Sequence, residues 1–189
     1  MTLSPIVVLV TGDPVATTRA TRGDFVDLIR GAAPTFATRP WVAHDVRASN
    51  VVPELTGALG VIVTGSPFSV TQGLPWIEQA SLLLERAVRA QIPVLGICFG
   101  HQLLGHALGG RVALNPRGRE LGTVSYTNRV NDPVLGEPGT WLVNSSHLDS
   151  VVELPAGVEV LGSTELEPHA AVRFGARAWG VQFHPEFDA

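Results

Sequence analysis

The sequence predicts an α/β fold: a mainly parallel central sheet, doubly wound by helices in the first half of the chain, with additional antiparallel strands in the C-terminal half. Three observations predict it. Short β-rich runs that end in Gly, Pro or Ser alternate with helical patterns up to about residue 110, as parallel strands joined by crossover helices require. From Arg111 onward strand-like runs follow one another with no long helical pattern between them. The chain has 189 residues, 45% of them apolar, which is enough for a compact domain with a sizeable core. No linker, repeat or composition shift marks a boundary, so residues 1–189 are expected to form one domain.

The elements follow in order. Residues 6–11 begin with five consecutive apolar side chains from Ile6 to Val10 and then meet a Thr-Gly-Asp-Pro turn, which reads as a buried strand. Phe25, Leu28 and Ile29 are spaced for a short helix after it. Further strands are expected at 41–43, 61–64 and 93–97. Between the last two, Trp76, Ile77, Ala80, Leu83, Leu84, Ala87 and Val88 recur at three and four, with Glu78, Glu85, Arg86 and Arg89 on the other face, which predicts an amphipathic helix packed on the sheet. In the second half the strand-like runs are 111–114, 123–126, 141–144, 158–163, 171–174 and 179–183.

Composition excludes several classes. Thirteen basic residues, all Arg, stand against seventeen acidic ones for a formal charge of −4, and no run of like charge occurs, so neither a nucleic-acid nor a membrane partner is expected. The opening segment lacks a basic start and a long apolar run, and no window approaches the roughly 20 apolar residues of a membrane span. A single Cys allows no internal disulfide, which points to a reducing compartment and a cytoplasmic location.

The sharpest signal surrounds that Cys. Cys98 stands where an apolar strand passes directly into a helical pattern, flanked by Gly96 and Gly100, where a side chain would crowd a sharp strand-to-helix turn. This has the form of a nucleophile elbow carrying a thiol. The following helix has Leu103, Leu104, Ala107 and Leu108 as its inward face and a stop at Gly109 and Gly110. Its N-terminal N–H groups and dipole favour a thiolate at Cys98.

A thiol nucleophile needs a proton acceptor, and His184 follows an apolar strand. If residues 184–186 stay extended, the two-residue period puts His184 and Glu186 on one face, so that the carboxylate can orient the imidazole. Loops at the carboxyl ends of parallel strands share one crevice, and Cys98 and His184 both follow strands. A Gly-containing loop after 61–64, with Gly65, Ser66 and Pro67, can aim a backbone N–H at a developing oxyanion, and the N–H of Phe99 is the second candidate donor.

These residues resemble the class I (triad) glutamine amidotransferases. The resemblance rests on Gly65-Ser66-Pro67, on Gly96, Cys98, Gly100 and Gln102 of the elbow, on Ser146, His147 and Asp149, and on His184-Pro185-Glu186. It covers most of the chain from Val61 onward. It implies a flavodoxin-like α/β domain that hydrolyses the side-chain amide of L-glutamine to glutamate and ammonia. On that resemblance Cys98 attacks the amide carbon, His184 shuttles the proton and Glu186 orients His184. The backbone N–H groups of Ser66 and Phe99 hold the oxyanion, while Gly65, Gln102, Ser146, His147 and Asp149 meet the substrate. The ammonia passes to a synthetase partner on a separate chain or to another acceptor.

Two departures from the resemblance matter. Ser66 stands where many relatives have Gly, so the loop must not demand positive φ there. Relatives usually continue past the position of Glu186 into a closing helix, whereas three residues follow it here. Two alternatives keep the same elbow: cleavage of other γ-glutamyl bonds, and a redox-sensing or binding module. A sensor, however, needs a reactive thiol and no proton shuttle. His101 and His106 lie five apart, not the spacing of a metal pair on one helix face, and His147 with Asp149 reads as loop decoration or substrate contact. His44 and His169 carry no pattern, and no phosphate-cradling glycine loop occurs. Neither a metal nor a cofactor is expected.

Overall fold

A computed structural model of the chain describes residues 3–48 and 53–187. Among them, nine strands form one mixed sheet in the order β2-β1-β3-β4-β11-β10-β9-β6-β7. The parallel part comprises β1 (Ile6–Val10), β2 (Trp41–Asp45), β3 (Gly60–Val63), β4 (Val94–Ile97) and β11 (Ala178–Val181). The antiparallel part continues through β10 (Ala171–Gly175), β9 (Glu159–Ser163), β6 (Glu120–Asn128) and β7 (Gly139–His147). β5 (Arg111–Leu114) and β8 (Asp149–Glu153) form a separate two-stranded ribbon. The expected fold class is therefore the observed one.

Helices cover both faces of the parallel part. α3 (Pro75–Arg89) spans the amphipathic pattern, begins with Pro in its first turn and buries Ile77, Ala80, Leu83, Leu84 and Ala87. α4 (Phe99–Ala107) packs beside it, and together they enclose Val7, Leu9, Val61, Val63 and Val94. α2 (Phe25–Ala32) lies on the other face, started by Asp24, whose side chain accepts from the N–H groups of Val26 and Asp27 in a capping box. Beside α2 the sheet leaves an apolar cavity of about 430 Å³ against Trp41, Ile62, Leu95 and Trp179. Among the described residues no helix is long and apolar enough to cross a membrane.

The structure departs from the sequence reading at particular elements. α1 (Ala16–Arg22) was not expected, because its residues carry no apolar periodicity and none is buried. β8 was not expected either: it begins one residue after β7, with no Gly or Pro to mark the reversal. The strand expected at 179–183 ends at Val181, because the chain bends at Gln182 and Phe183.

Two glycines fix how closely β4 and α4 approach. A Cβ on Gly96 would stand 2.4 Å from the Gly100 carbonyl oxygen, and one on Gly100 would stand 2.4 Å from the Val63 carbonyl oxygen. Both obstructions are backbone, so neither can swing aside. Gly100→Ala is expected to destabilise the fold by about 1–3 kcal/mol or more, read as a lower denaturant midpoint with an unchanged slope.

His101 of α4 is fully buried against Phe174, and a Cβ on Gly180 would meet its Nδ1 at 2.5 Å. Burial, reinforced by repulsion from His169 and His147, pushes its pKa down from 6.5 to about 3. The unfolded chain therefore takes up a proton at this residue below about pH 6.5 while the folded chain does not, so stability falls as pH drops towards 3. The depressed carboxylates of Glu120 and Asp132 act in the same direction only from about pH 4.5 downward. Between pH 6.5 and 4.5 the urea midpoint is expected to fall, and His101→Leu is expected to flatten that slope.

Candidate active site

The site starts from a strained backbone. Cys98 lies between the end of β4 and the first residue of α4 with φ 52° and ψ −103°. This is a conformation that costs a non-Gly residue of order 1–3 kcal/mol. Because Cys98 directly follows β4, it lies at the carboxyl ends of the parallel strands. The residue is only 6% exposed, yet it lines a cleft of about 630 Å³ together with Ser66, Phe99, Gln102, Ser146 and Asp149. Its Sγ lies 3.7 Å from the Ser146 carbonyl oxygen.

His184 comes from the segment after β11, and the Cys98 side chain is near enough to act on its ring by charge and hydrogen bonding. The ring's Nδ1 is 2.7 Å from Glu186 Oε1. The route to that pairing differs from the extended one expected, because Pro185 and Glu186 lie in a turn closed by the Phe187 N–H on the His184 carbonyl. The turn still brings the carboxylate back under the imidazole, and Phe187 stacks on the ring at 4.1 Å between centroids. Burial lowers the pKa of His184, but the negative charge and hydrogen bond of Cys98, followed by those of Glu186, outweigh it and raise the pKa from 6.5 to about 10. The ring therefore holds its proton at neutral pH and faces the Cys98 sulfur.

Gly65 lies behind this pair, where a Cβ would stand 3.0 Å from His184 Cε1 and 3.8 Å from Cys98 Cβ. It packs beneath the imidazole and is not part of the cleft wall. The loop after β3 is pinned by two buried threonines, with the Thr11 N–H donating to Thr64 Oγ1 and Thr11 Oγ1 donating to the Thr64 carbonyl. Ser66 Oγ adds a 2.7 Å bond to the Thr11 carbonyl. Among the described non-glycine residues only Gln91 and Cys98 have positive φ, so Ser66 fits its loop without strain.

The remaining expected residues form a buried polar chain. The Gln102 amide donates to the Asp149 carbonyl at 2.8 Å and to Gln182 Oε1 at 3.1 Å. His147 is not loop decoration: it is the last residue of β7 and is buried, with Nδ1 3.0 Å from the Asp149 carbonyl and Nε2 3.3 Å from Glu120 Oε2. Glu120 also accepts from Ser145 and Thr164. Burial opposes its ionisation, but the bonds from His147, Thr164 and Ser145 hold its carboxyl below the usual range. The Asp149 carboxylate accepts a short hydrogen bond from Ser69.

Sequence reasoning missed Glu120 and its neighbour Arg119, which also lines the cleft. Glu120 meets its partners 25, 27 and 44 residues away, so no local spacing announces it. Among the described residues no cluster of three or more His, Cys, Asp or Glu side chains is arranged to hold a metal ion.

Comparison with known proteins decides the family. The family model described as glutamine amidotransferase class-I matches residues 33–189. The chain belongs to that family. It is 41% identical over 146 residues to a GMP synthase [glutamine-hydrolyzing] of Porphyromonas gingivalis, which covers 75% of this chain and 28% of that protein. A GMP synthase [glutamine-hydrolyzing] of Leifsonia xyli subsp. xyli is 40% identical over 152 residues, covering 77% of this chain and 29% of that protein. The chain thus spans little more than a quarter of the length of these curated relatives. In fold it is similar to a glutamine amido transferase from Methylobacillus flagellatus, with a TM-score of 0.78 and 24% identity over 100% of this chain and 72% of that one. A glutamine amidotransferase from Thermotoga maritima gives a TM-score of 0.80 and 20% identity over 98% of this chain and 77% of that one.

The raised pKa of His184 can be read directly. Its ring resonances are expected to titrate well above pH 8 in the intact protein. Glu186→Gln should lower the midpoint and Cys98→Ser should lower it further, because the sulfur contributes more of the upward shift than the carboxylate. A His184 midpoint near 6.5 in the unaltered protein would contradict this electrostatic account.

Proposed function

We propose that this class I glutamine amidotransferase domain hydrolyses the side-chain amide of L-glutamine to glutamate and ammonia, with Cys98, His184 and Glu186 as the catalytic groups. The observation that carries the reading is that Cys98 lines an accessible cleft and acts on the buried His184 ring, whose Nδ1 lies 2.7 Å from Glu186 Oε1. The Cys98 thiolate attacks the amide carbon, and the imidazolium of His184 gives its proton to the departing nitrogen. Water then attacks the γ-glutamyl thioester, with His184 as general base, and glutamate leaves.

The tetrahedral oxyanion is held by the N–H groups of Ser66 and Phe99. Phe99 is the first residue of α4, so its N–H is one of the donors that every helix start leaves unpaired. Each such donor contributes roughly 3–4 kcal/mol where typical values hold. Gln102, Ser146, His147 and Asp149 shape the substrate's place, and Gly65 allows the imidazole to come close. The Gln102 amide nitrogen is committed within the protein, so that side chain meets substrate through its oxygen or acts by holding Asp149.

The ammonia is passed to a synthetase partner on a separate chain. Phe68, Leu114 and Leu148 are exposed on the rim of the cleft, and an apolar rim around a reactive mouth supports a partner that covers it.

Cys98→Ser is expected to lower glutamine turnover by at least roughly 1,000-fold while leaving the denaturant midpoint near its original value. A glutamine-like electrophile should add mass to the peptide carrying Cys98. Labelling elsewhere, or turnover that survives the substitution, would refute the assignment.

A further inference from the structure

Hydrogen bonds reach an imidazole only at its two nitrogens. In His184 the Nδ1 meets Glu186 Oε1 at 2.7 Å, and Cys98 acts on the ring by charge and hydrogen bonding. Contacts of this kind lie at the ring's edge, so they leave the imidazole able to tilt about the line that joins its nitrogens. What bears on its face is Phe187: the two rings stack with an interplanar angle of 1° and centroids 4.1 Å apart. The face of a phenyl ring is negative, so an imidazolium lying over it is favoured relative to the neutral ring.

The backbone brings Phe187 to that place. Its N–H closes the turn on the His184 carbonyl, and one residue of β7 then holds both ends of the turn. The Asn144 carbonyl accepts from the His184 N–H at 2.8 Å, and Asn144 Nδ2 donates to the Phe187 carbonyl at 2.8 Å. The Asn144 side chain is fixed in turn by Thr123, its partner across the β6–β7 ladder, whose Oγ1 donates to Asn144 Oδ1 at 2.8 Å. Neither Asn144 nor Phe187 takes part in the proposed proton transfer itself.

We propose that Phe187, latched by Asn144, is a positioning residue for His184: its ring sets the tilt of the imidazole and stabilises the protonated form. The inference rests on the reading of His184 as the proton shuttle and extends it. The titratable groups that act on the ring are Cys98 from the elbow and Glu186 from the turn. Arg22 of α1 and Asp27 of α2 line the hollow that Glu186 and Phe187 border. An uncharged replacement of Phe187 or Asn144 leaves all four in place, so a change in the titration of His184 reports the stacked ring.

The test follows the His184 ring protons by NMR across pH in the unaltered chain and in F187L, F187Y, F187W and N144A. Leucine keeps an apolar cover but has no π face. In F187L the His184 midpoint is expected to fall by roughly 0.5–1 pH unit, whereas F187Y should keep it and F187W should keep or raise it. The upfield displacement that a stacked phenyl imposes on the imidazole protons should vanish in F187L and shrink in N144A, where the Phe187 carbonyl is released. Phe187 is half-buried, so its conservative variants are expected to fold. A role confined to packing predicts the same midpoint for F187L as for the unaltered chain. That result, with glutamine still hydrolysed, overturns the role of Phe187 and leaves the glutaminase reading standing. A midpoint that falls as expected, in a chain that neither hydrolyses glutamine nor is labelled at Cys98 by a glutamine-like electrophile, overturns the shuttle and with it the positioning role.

Discussion

The site depends on one steric constraint: at the end of β4, three stretches of backbone come closer than any side chain permits. Gly96 lies against Gly100 across the turn, and Gly100 lies against the carbonyl of Val63 on the neighbouring strand. Cys98 stands between these two close approaches and has a positive φ. The cost of that conformation is small beside what the surrounding elements contribute. Phe99, Leu103 and Leu104 of the following helix are essentially fully buried, and each such side chain stabilises the fold by about 1.5–3 kcal/mol. The core can therefore hold a reactive thiol in a geometry it would not adopt alone, and it does so on the helix end where unpaired N–H groups converge.

Two buried histidine–carboxylate pairs stand around that thiol, and their differences explain their separate parts. His184 has one ring nitrogen on Glu186 and the other towards Cys98, so one side of the ring is open to exchange a proton with the reacting atoms. His147 has both nitrogens on acceptors, the Asp149 carbonyl and the Glu120 carboxylate. With both ring nitrogens engaged inside the protein, His147 has none turned towards the reacting atoms. The first pair can shuttle a proton. The second fixes the Ser146–Asp149 corner against α4, and thereby holds the wall of the cleft that faces the sulfur.

Those features whose cause is local were legible in the sequence. The elbow announces itself because its glycines must flank the thiol at fixed offsets, and α3 does so because one face of a helix repeats every three to four residues. The strands of the second half were legible as β-rich runs, although their pairing was not. What escaped is what depends on distant partners. Arg119 and Glu120 look like ordinary surface charges until β7 and Thr164 are brought alongside. β8 was hidden because the chain reverses at Leu148 without a turn residue, and α1 because a helix that buries nothing has no periodicity to display. The His184–Glu186 contact was expected from a strand's two-residue period and is instead made by a turn after Pro185. Short spacing limits the distance between two groups, but not the backbone path that closes it.

The electrostatics of His184 change during the proposed reaction in a direction that favours it. In the resting site the sulfur's charge is the leading influence that raises the imidazole's pKa against burial. A ring holding its proton with a pKa near 10 is a poor acid, and by itself would slow departure of the amide nitrogen. In the proposed reaction the sulfur becomes a thioether in the tetrahedral intermediate, and its charge moves to the oxyanion, for which the N–H groups of Ser66 and Phe99 are the proposed donors. Burial then weighs more heavily against the contact with Glu186, and the ring releases its proton more readily at the step that needs it. When the thioester is later hydrolysed the sulfur recovers its charge and draws the proton back to His184. Glu186 therefore keeps the imidazole oriented throughout, while the timing of proton release is set by the chemistry at Cys98.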